Sequence, residues 1–179
     1  MFSKFFAWLG SLFNLSTNVK FAVGTFLIIF VLGIALNKCH AEVDDAPYIQ
    51  VDAGSTIVRG VAPVIDFTLT EPAPQLTGAF FQESLTVIGS SRFDGHNVPN
   101  NYLIRALFVD GFGHFDTGLG LCYVDNPSPY NGQSLNFNLQ LDYRFTTWPI
   151  TLTYTHCSDA GTRLPNLGRD LVMVGWRFH

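Results

Sequence analysis

Lysine is almost absent from this chain of 179 residues, and charged side chains of any kind make up only 13% of it. The three lysines all lie within the first 38 residues, whereas the rest of the chain carries seven arginines against fourteen carboxylates. A soluble domain of this size usually has about 25% charged residues. The net charge of −4 and the absence of a basic stripe exclude a typical nucleic-acid-binding protein. The apolar fraction of 47% excludes a disordered chain, so the composition indicates one folded domain with much of its surface hidden from water.

An uncharged apolar run occupies residues 21–36. Lys4 and Lys20 precede it, and the short segment Asn37 to Ala41 follows it. This order of positive, apolar and small residues is typical of a secretory signal, so we expect a leader over 1–41, cleavage after Ala41 and a mature domain over 42–179. An uncleaved anchor is the alternative, because the segment before the apolar run is long. The run itself is short for a membrane span of about 20 residues.

After the leader, apolar and polar residues alternate with a period of two, which is the pattern of β-strands. The clearest case is 134–145, where leucines and aromatics alternate with amides and opposed charges. Glu83 interrupts the alternation of the third segment. Eight such segments are predicted as strands, over 49–58, 62–70, 79–89, 102–109, 115–123, 134–145, 149–158 and 170–178.

Eight alternating strands after an export signal fit either a soluble lipid-binding barrel or an outer-membrane barrel. The scarcity of charge and the aromatic-rich strands favour the second, so the predicted fold is all-β, an eight-stranded antiparallel transmembrane β-barrel. Long connections over 90–100, 125–133 and 159–169 agree with extracellular loops, although the short connection near Gly60 and the long one over 71–78 do not. The polar faces carry charges of both signs that we expect to neutralise one another inside the barrel: Asp52, Asp66, Arg105, Asp142, Arg144 and Arg177.

Two cysteines remain after the leader, Cys122 and Cys157. The alternation of side chains between the two faces of a strand places both in the lumen. A disulfide is possible in an oxidising compartment, but the two cysteines belong to the fifth and seventh strands, which are not neighbours, so the geometry disfavours it. No spacing of histidine and cysteine is typical of a metal site, and no cofactor is expected. Trp148, Trp176 and Phe178 are expected in an aromatic belt at the membrane interface.

The stretch from His156 to Asp170 has a pattern with chemical meaning. By parity, His156, Ser158 and Asp170 all face lipid, on two neighbouring antiparallel strands. A histidine can accept the proton of a serine nucleophile, and a carboxylate can orient the histidine. His156 and Ser158 would be about 6.5 Å apart along an ideal strand, so a twist must bring them closer. Asn166 and the small residues around Gly161 could direct an amide and a backbone N–H at an oxyanion.

These residues resemble the motif of the lipid A 3-O-deacylase family (PagL-like) of outer-membrane enzymes. The family pattern is His-x-Ser-Asn-Ala-Gly followed by Pro-Asn-x-Gly-x-Glu. The positions that match it in type and spacing are His156, Ser158, Ala160, Gly161, Pro165, Asn166 and Gly168. The resemblance implies an eight-stranded membrane barrel with Ser158 as nucleophile, His156 as base, and Asn166 in the oxyanion hole. Asp170 stands where the family has glutamate, and Asp159 stands where it has asparagine.

The resulting hypothesis is an exported, Gram-negative-type outer-membrane esterase that removes an ester-linked acyl chain from lipid A, with His156, Ser158 and Asp170 as catalytic residues. Asn166 and Gly161 would form the oxyanion hole, and Asp159 beside Ser158 would be a supporting residue of the site. The partners are then lipid A or lipopolysaccharide in the outer leaflet and the membrane itself, and a homodimer stays open. The alternative is a non-enzymatic barrel, structural or adhesive, that keeps the motif but has lost activity through Asp159.

Overall fold

Period-two alternation folds the chain into a closed barrel of antiparallel strands. The structure is a computed structural model that describes residues 46–58, 60–73, 79–128, 133–159 and 168–178. The barrel strands are β1 (Tyr48–Thr56), β2 (Pro63–Pro72), β3 (Ala79–Ile88), β6 (Asn101–Phe112), β7 (Phe115–Val124), β8 (Leu135–Arg144), β9 (Ile150–Ser158) and β10 (Arg169–Phe178). Their order around the barrel is β1-β10-β9-β8-β7-β6-β3-β2, with β2 closing against β1. The prediction of an eight-stranded barrel is confirmed.

A small hairpin, β4 (Ser91–Phe93) with β5 (His96–Val98), lies between β3 and β6. The sequence predicted only a loop over 90–100, and that part of the prediction was wrong. Asp94 and Gly95 both adopt positive φ angles, 49° and 77°. Positive φ at both central residues is the geometry of the two-residue turns that suit hairpins, and Asp-Gly is one of their preferred sequences. The sequence therefore contained the signal for this turn, the pair Asp94-Gly95.

The barrel has two distinct ends. The chain enters at Tyr48 and leaves at Phe178 on one end, which we call the terminal end, together with the turn at Gly113 and His114. The hairpin β4–β5 and the connections after β1, β7 and β9 lie on the opposite end, which we call the loop end.

The lumen is filled by polar side chains that bond to one another. Arg105 and Asp66 form an ion pair with both side chains 1% exposed, and Arg105 Nη1 also donates to Gln140 Oε1 at 2.7 Å. Nearer the terminal end, Asp116 accepts from Arg177 at 3.0 Å and lies 3.2 Å from Arg144 Nε. The expectation that opposite charges meet inside the barrel is confirmed for these groups. Asp52 differs, because its partners are Gln50 and Thr153 and not an arginine.

The loop end of the lumen holds a cluster of buried apolar side chains and a disulfide. Cys122 and Cys157 are fully buried there and are bonded to each other, with their Cα atoms 6.4 Å apart. The sequence-based objection to this pair was wrong. β8 does separate their strands, but the wall of an eight-stranded barrel curves strongly. Side chains of next-but-one strands therefore converge on the lumen side, within the usual Cα separation of a disulfide.

The outside wall has the opposite character, because large apolar side chains are exposed along every barrel strand. They include Ile49, Phe67, Leu85, Ile104, Leu121, Leu139, Leu152 and Val174. Aromatic residues gather at the terminal end, where Trp148, Trp176 and Phe178 are exposed and Tyr143 contacts Phe115 and Phe145. A polar interior inside an apolar exterior is the arrangement of a barrel that faces lipid.

Within the described ranges, no helix is long and apolar enough to cross a membrane. Across those same residues, no group of three or more histidine, cysteine or acidic side chains could hold a metal ion. The predicted leader over 1–41 and its boundary with the barrel domain lie outside the described residues.

Candidate active site

The end of β9 carries two of the predicted site residues on the outside wall. Thr151, Thr153 and Thr155 face the lumen and are buried, so the even-numbered positions between and after them face outward. His156 and Ser158 are therefore side by side on the lipid-facing surface at the loop end. Across the strand pair, His156 is directly opposite Asp170 of β10. Directly opposed residues of antiparallel strands have Cβ atoms about 5 Å apart, which is close enough for their side chains to bond.

A continuous hydrogen-bonded chain joins the three side chains. His156 Nδ1 is 2.8 Å from Asp170 Oδ1, and His156 Nε2 is 2.9 Å from Ser158 Oγ. The imidazole thus spans the gap that an ideal strand would leave between His156 and Ser158. An ionised carboxylate only accepts hydrogen bonds. The proton therefore belongs on Nδ1, and the lone pair of Nε2 points at the serine hydroxyl.

Exposure differs along this chain of three residues. The His156 side chain is 35% exposed and that of Asp170 15%, while Ser158 is 8% exposed. The imidazole is thus partly accessible, whereas Ser158 is buried. A partly covered hydroxyl beside an accessible imidazole suits a reaction on a substrate that approaches along the wall.

Gly168 provides part of that cover. Its φ is +57°, a conformation that side-chain-bearing residues rarely adopt. A Cβ at this position would lie 2.7 Å from Ser158 Cβ and 3.3 Å from His156 Cε1. Glycine is therefore needed here for two reasons, the backbone angle and the close approach of the chain to the site.

Tyr154 also belongs to the site, and it was not among the residues predicted from the sequence. Its hydroxyl donates to Asp170 Oδ1 at 2.6 Å, so the same oxygen accepts from both Tyr154 and His156. Alternation alone placed Tyr154 among the apolar lipid-facing residues. The available signal was its position two residues before His156 on the same face, which makes it the diagonal cross-strand neighbour of Asp170.

The lumen supports the site from behind. Asn138 of β8 faces inward, and its Nδ2 donates to the backbone oxygen of His156 at 2.8 Å and to Thr155 Oγ1 at 2.7 Å. Cys157, between the two site residues, is tied to Cys122 by the disulfide. The strand that presents His156 and Ser158 is thus bonded from the lumen side at three consecutive residues, Thr155, His156 and Cys157.

Of the predicted oxyanion and supporting residues, the structure describes only Asp159. It follows the last residue of β9 and is 3% exposed, so it is more deeply buried than Ser158. Gly161 and Asn166 lie outside the described residues.

A cavity of about 410 Å³ opens at the terminal end of the barrel, far from Ser158. Its charged lining consists of Asp116, Arg144 and Arg177. Asp116 forms an ion pair with each of the two arginines. Trp148 and Phe145 form part of its apolar lining. The cavity is thus the mouth of the polar lumen, with its charges already satisfied.

The fold and site define a class: a transmembrane β-barrel with serine, histidine and aspartate hydrogen-bonded in series on its lipid-facing wall. No protein-family model matches the chain, and no curated protein matches it. Among solved structures, the crystal structure of the outer membrane enzyme PagL is similar to this chain with a TM-score of 0.49 and 13% sequence identity. The similarity covers 74% of this chain and 99% of that chain. The barrel architecture itself rests on the strand pairing of this chain.

Proposed function

We propose that this protein is an outer-membrane esterase that hydrolyses an ester-linked acyl chain of lipid A. The observation that carries the proposal is the hydrogen-bonded series Asp170–His156–Ser158 on the lipid-facing wall. A serine becomes an effective nucleophile when a histidine accepts its proton and a carboxylate stabilises the resulting imidazolium. This constellation is recognised by geometry and roles and not by fold.

In the first half of the reaction, Ser158 Oγ attacks the carbonyl carbon of the ester, and its proton moves to His156 Nε2. The carbonyl π bond opens to an oxyanion. Collapse of this tetrahedral intermediate breaks the bond between the carbonyl carbon and the sugar oxygen. His156 then gives its proton to that oxygen, which leaves as a free hydroxyl, and the acyl chain stays on Ser158.

In the second half, water replaces the sugar. His156 Nε2 takes a proton from the water as its oxygen attacks the acyl-serine, and the second tetrahedral intermediate releases a fatty acid. The proton returns from His156 to Ser158 Oγ. Asp170 stays ionised throughout and holds the imidazole in the tautomer that leaves Nε2 free to accept.

Stabilisation of the oxyanion is proposed for Asn166 and Gly161, with Asp159 as a supporting residue beside Ser158. An amide side chain and a backbone N–H are the donor types that such a site requires. This assignment follows the resemblance to the deacylase motif, and the variants Asn166→Ala and Asn166→Asp test it by their loss of turnover.

A membrane lipid is the substrate class that suits the position of the site. Phe137 and Leu139 of β8 pair with Ser158 and His156 and are exposed on the same wall. An acyl chain could lie against them while its ester reaches Ser158, without leaving the bilayer. Short turns and chain termini usually face the periplasm in such barrels. The loop end would then contact the outer leaflet, where lipid A resides, after export of the chain through the inner membrane.

The test is release of fatty acid from purified lipid A by the folded protein in detergent or vesicles, with products identified by mass spectrometry. We expect turnover by the wild type and a loss of about 10⁴-fold or more in Ser158→Ala. Ser55→Ala is a matched control, because Ser55 also lies on the outside wall but donates to the Thr56 carbonyl oxygen. Equal activity of Ser158→Ala and the wild type would exclude Ser158 as the nucleophile.

A further inference from the structure

We propose that Tyr154 is the positioning residue that holds the Asp170 carboxylate in line with His156, a role that rests on the proposed serine-esterase function. The Tyr154 hydroxyl donates to Asp170 Oδ1 at 2.6 Å, and His156 Nδ1 lies 2.8 Å from the same oxygen. Two donors to one oxygen restrict the rotation of the carboxylate more than a single donor does. Tyr154 therefore acts through Asp170 and touches neither the serine nor the reacting ester.

The position of Asp170 explains why such support is needed. Asp170 is the second residue of β10, directly after Gly168 and Arg169, so the strand has barely begun at this point. Its side chain faces the lipid side at the loop end, where headgroup water competes for a carboxylate. The Tyr154 hydroxyl competes with that water for the carboxylate and so helps to keep the carboxylate on Nδ1 of His156.

Tyr154 is well placed to act as a fixed donor. Tyr154 lies between Leu141 of β8 and Val172 of β10, its direct cross-strand partners. A tyrosine has only two side-chain torsions, so little conformational freedom is lost when its hydroxyl is held at one acceptor. The hydroxyl at the end of the ring donates to a single acceptor, the Asp170 oxygen.

The short side chain of Asp170 suits this arrangement. Aspartate reaches one methylene less far than glutamate, so its oxygens stay close to the strand. A ring that starts two residues away on the neighbouring strand reaches this oxygen diagonally. Tyr154 thus supplies a hydrogen bond that orients the Asp170 carboxylate toward His156.

A double-mutant cycle tests the role, using the full-length folded protein and two readouts. The first is the labelling rate of Ser158 by a fluorophosphonate, which reports activation of the nucleophile without the natural substrate. The second is kcat and KM for acyl release from lipid A. The four proteins are the wild type, Tyr154→Phe, Asp170→Ala and the double variant. Tyr123→Phe is the matched control, since Tyr123 is exposed on the same outside wall at the loop end of β7.

We expect Tyr154→Phe to lower the labelling rate and kcat about tenfold while KM stays within about twofold, because the lost hydrogen bond acts on a charged group but not on the substrate. In the Asp170→Ala background, Tyr154→Phe should cost nothing further. Tyr123→Phe should behave as the wild type. An equal loss in both backgrounds would mean that Tyr154 only packs, and a wild-type rate in Tyr154→Phe would equally overturn the proposal.

The two readouts separate this proposal from the function beneath it. If the wild type labels at Ser158 but releases no acyl chain from lipid A, the substrate assignment fails and the labelling cycle still decides the role of Tyr154. If the wild type does not label at all, with Ser158→Ala as the reference, the serine is not activated and both proposals are overturned.

Discussion

Asp170 and Glu83 are two of the carboxylates on the outer face of this barrel, and they differ in their bonding partners and in their position along the strands. Asp170, at the loop end of β10, bonds to His156 and Tyr154. Glu83, in the middle of β3, is exposed between Leu69 and Ala106 of the neighbouring strands. Among the residues that the structure describes, no hydrogen bond or ion pair reaches the Glu83 carboxylate. The alternation pattern identifies both as polar residues on an apolar surface. Only their bonding partners show that Asp170 belongs to a candidate site and that Glu83 is an isolated charge.

Their depth in the membrane differs as well. Glu83 pairs with Ala106, which is four residues from Tyr102 and six from Phe112, the exposed aromatics near the two ends of β6. With a rise of about 3.3 Å per residue and a tilt of about 40°, Glu83 lies roughly 10 Å below Tyr102, well inside an apolar band about 25 Å tall. Around the closed barrel, β3 is four strands from β9 in either direction, so Glu83 is on the side opposite Ser158.

The largest expected effect comes from removing the charge of each carboxylate in turn. We expect Asp170→Asn to lower acyl release from lipid A about 10⁴-fold, because an amide can donate to Nδ1 and so favours the wrong imidazole tautomer. Glu83→Gln should leave the rate within about twofold. Comparable losses in the two variants, measured as kcat by mass spectrometry of the products, would contradict the distinction between them.

The next effect contrasts two glycines with nearly equal backbone angles. Gly168 has φ +57° beside Ser158, while Gly113 has φ +58° in the turn at the terminal end, where a Cβ would meet no other atom within 4 Å. Both alanine variants should lose about 1–2 kcal/mol of unfolding free energy through the backbone angle. Only Gly168→Ala should also lose activity, by about 100-fold, since its methyl group would displace Ser158. Unfolding in urea and kcat measure the two effects, and an active Gly168→Ala would show that the site tolerates the shift.

A smaller effect, on stability alone, is expected from Glu83→Leu. A carboxylate exposed to lipid in the middle of a barrel strand costs up to a few kcal/mol, and less than an arginine or lysine at the same depth. The variant should therefore raise the unfolding free energy in vesicles by about 1–2 kcal/mol and keep full activity. Leu85→Ala, on the same face of β3, controls for a general change of that wall. A decrease in stability would indicate that Glu83 has a partner in the membrane.

The smallest effect concerns a third carboxylate, that of Asp159, which is buried directly after Ser158. If the wild type is an active enzyme, Asp159→Asn should change kcat by no more than about threefold. Activity that appears only in Asp159→Asn would instead support the non-enzymatic barrel with a retained motif.

The barrel was predictable because one rule, alternation, governs every strand of a wall with lipid on one side and a filled lumen on the other. Parity placed Arg105 and Asp66 inside, and Ile104 and Leu139 outside. The hairpin at Asp94 and Gly95 escaped prediction because its strands have only three residues each, too few for alternation to register. The disulfide was not predicted because the alternation pattern gives only the face on which a side chain lies. The distance between Cys122 and Cys157 depends on the curvature of the barrel wall.

The candidate site was predictable in part for the same reason. Parity and strand adjacency put His156, Ser158 and Asp170 on one patch of the wall. Two of its features need three-dimensional information that the pattern does not contain. The bond from Tyr154 depends on which diagonal neighbour a ring reaches, and the cover over Ser158 depends on a left-handed turn at Gly168.

Consecutive residues of β9 point to opposite faces of the barrel wall, which is a single layer of strands. His156 and Ser158 point to the outer side of the wall, while Cys157 between them is bonded to Cys122 and Asn138 donates to the His156 carbonyl oxygen from the lumen. In such a wall, no further layer of residues separates the lumen side chains that support the strand from the candidate site residues on its outer face. Substitutions of Asn138 or Cys122 are therefore expected to change the geometry of the candidate site from the lumen side, without changing any side chain on the outer surface.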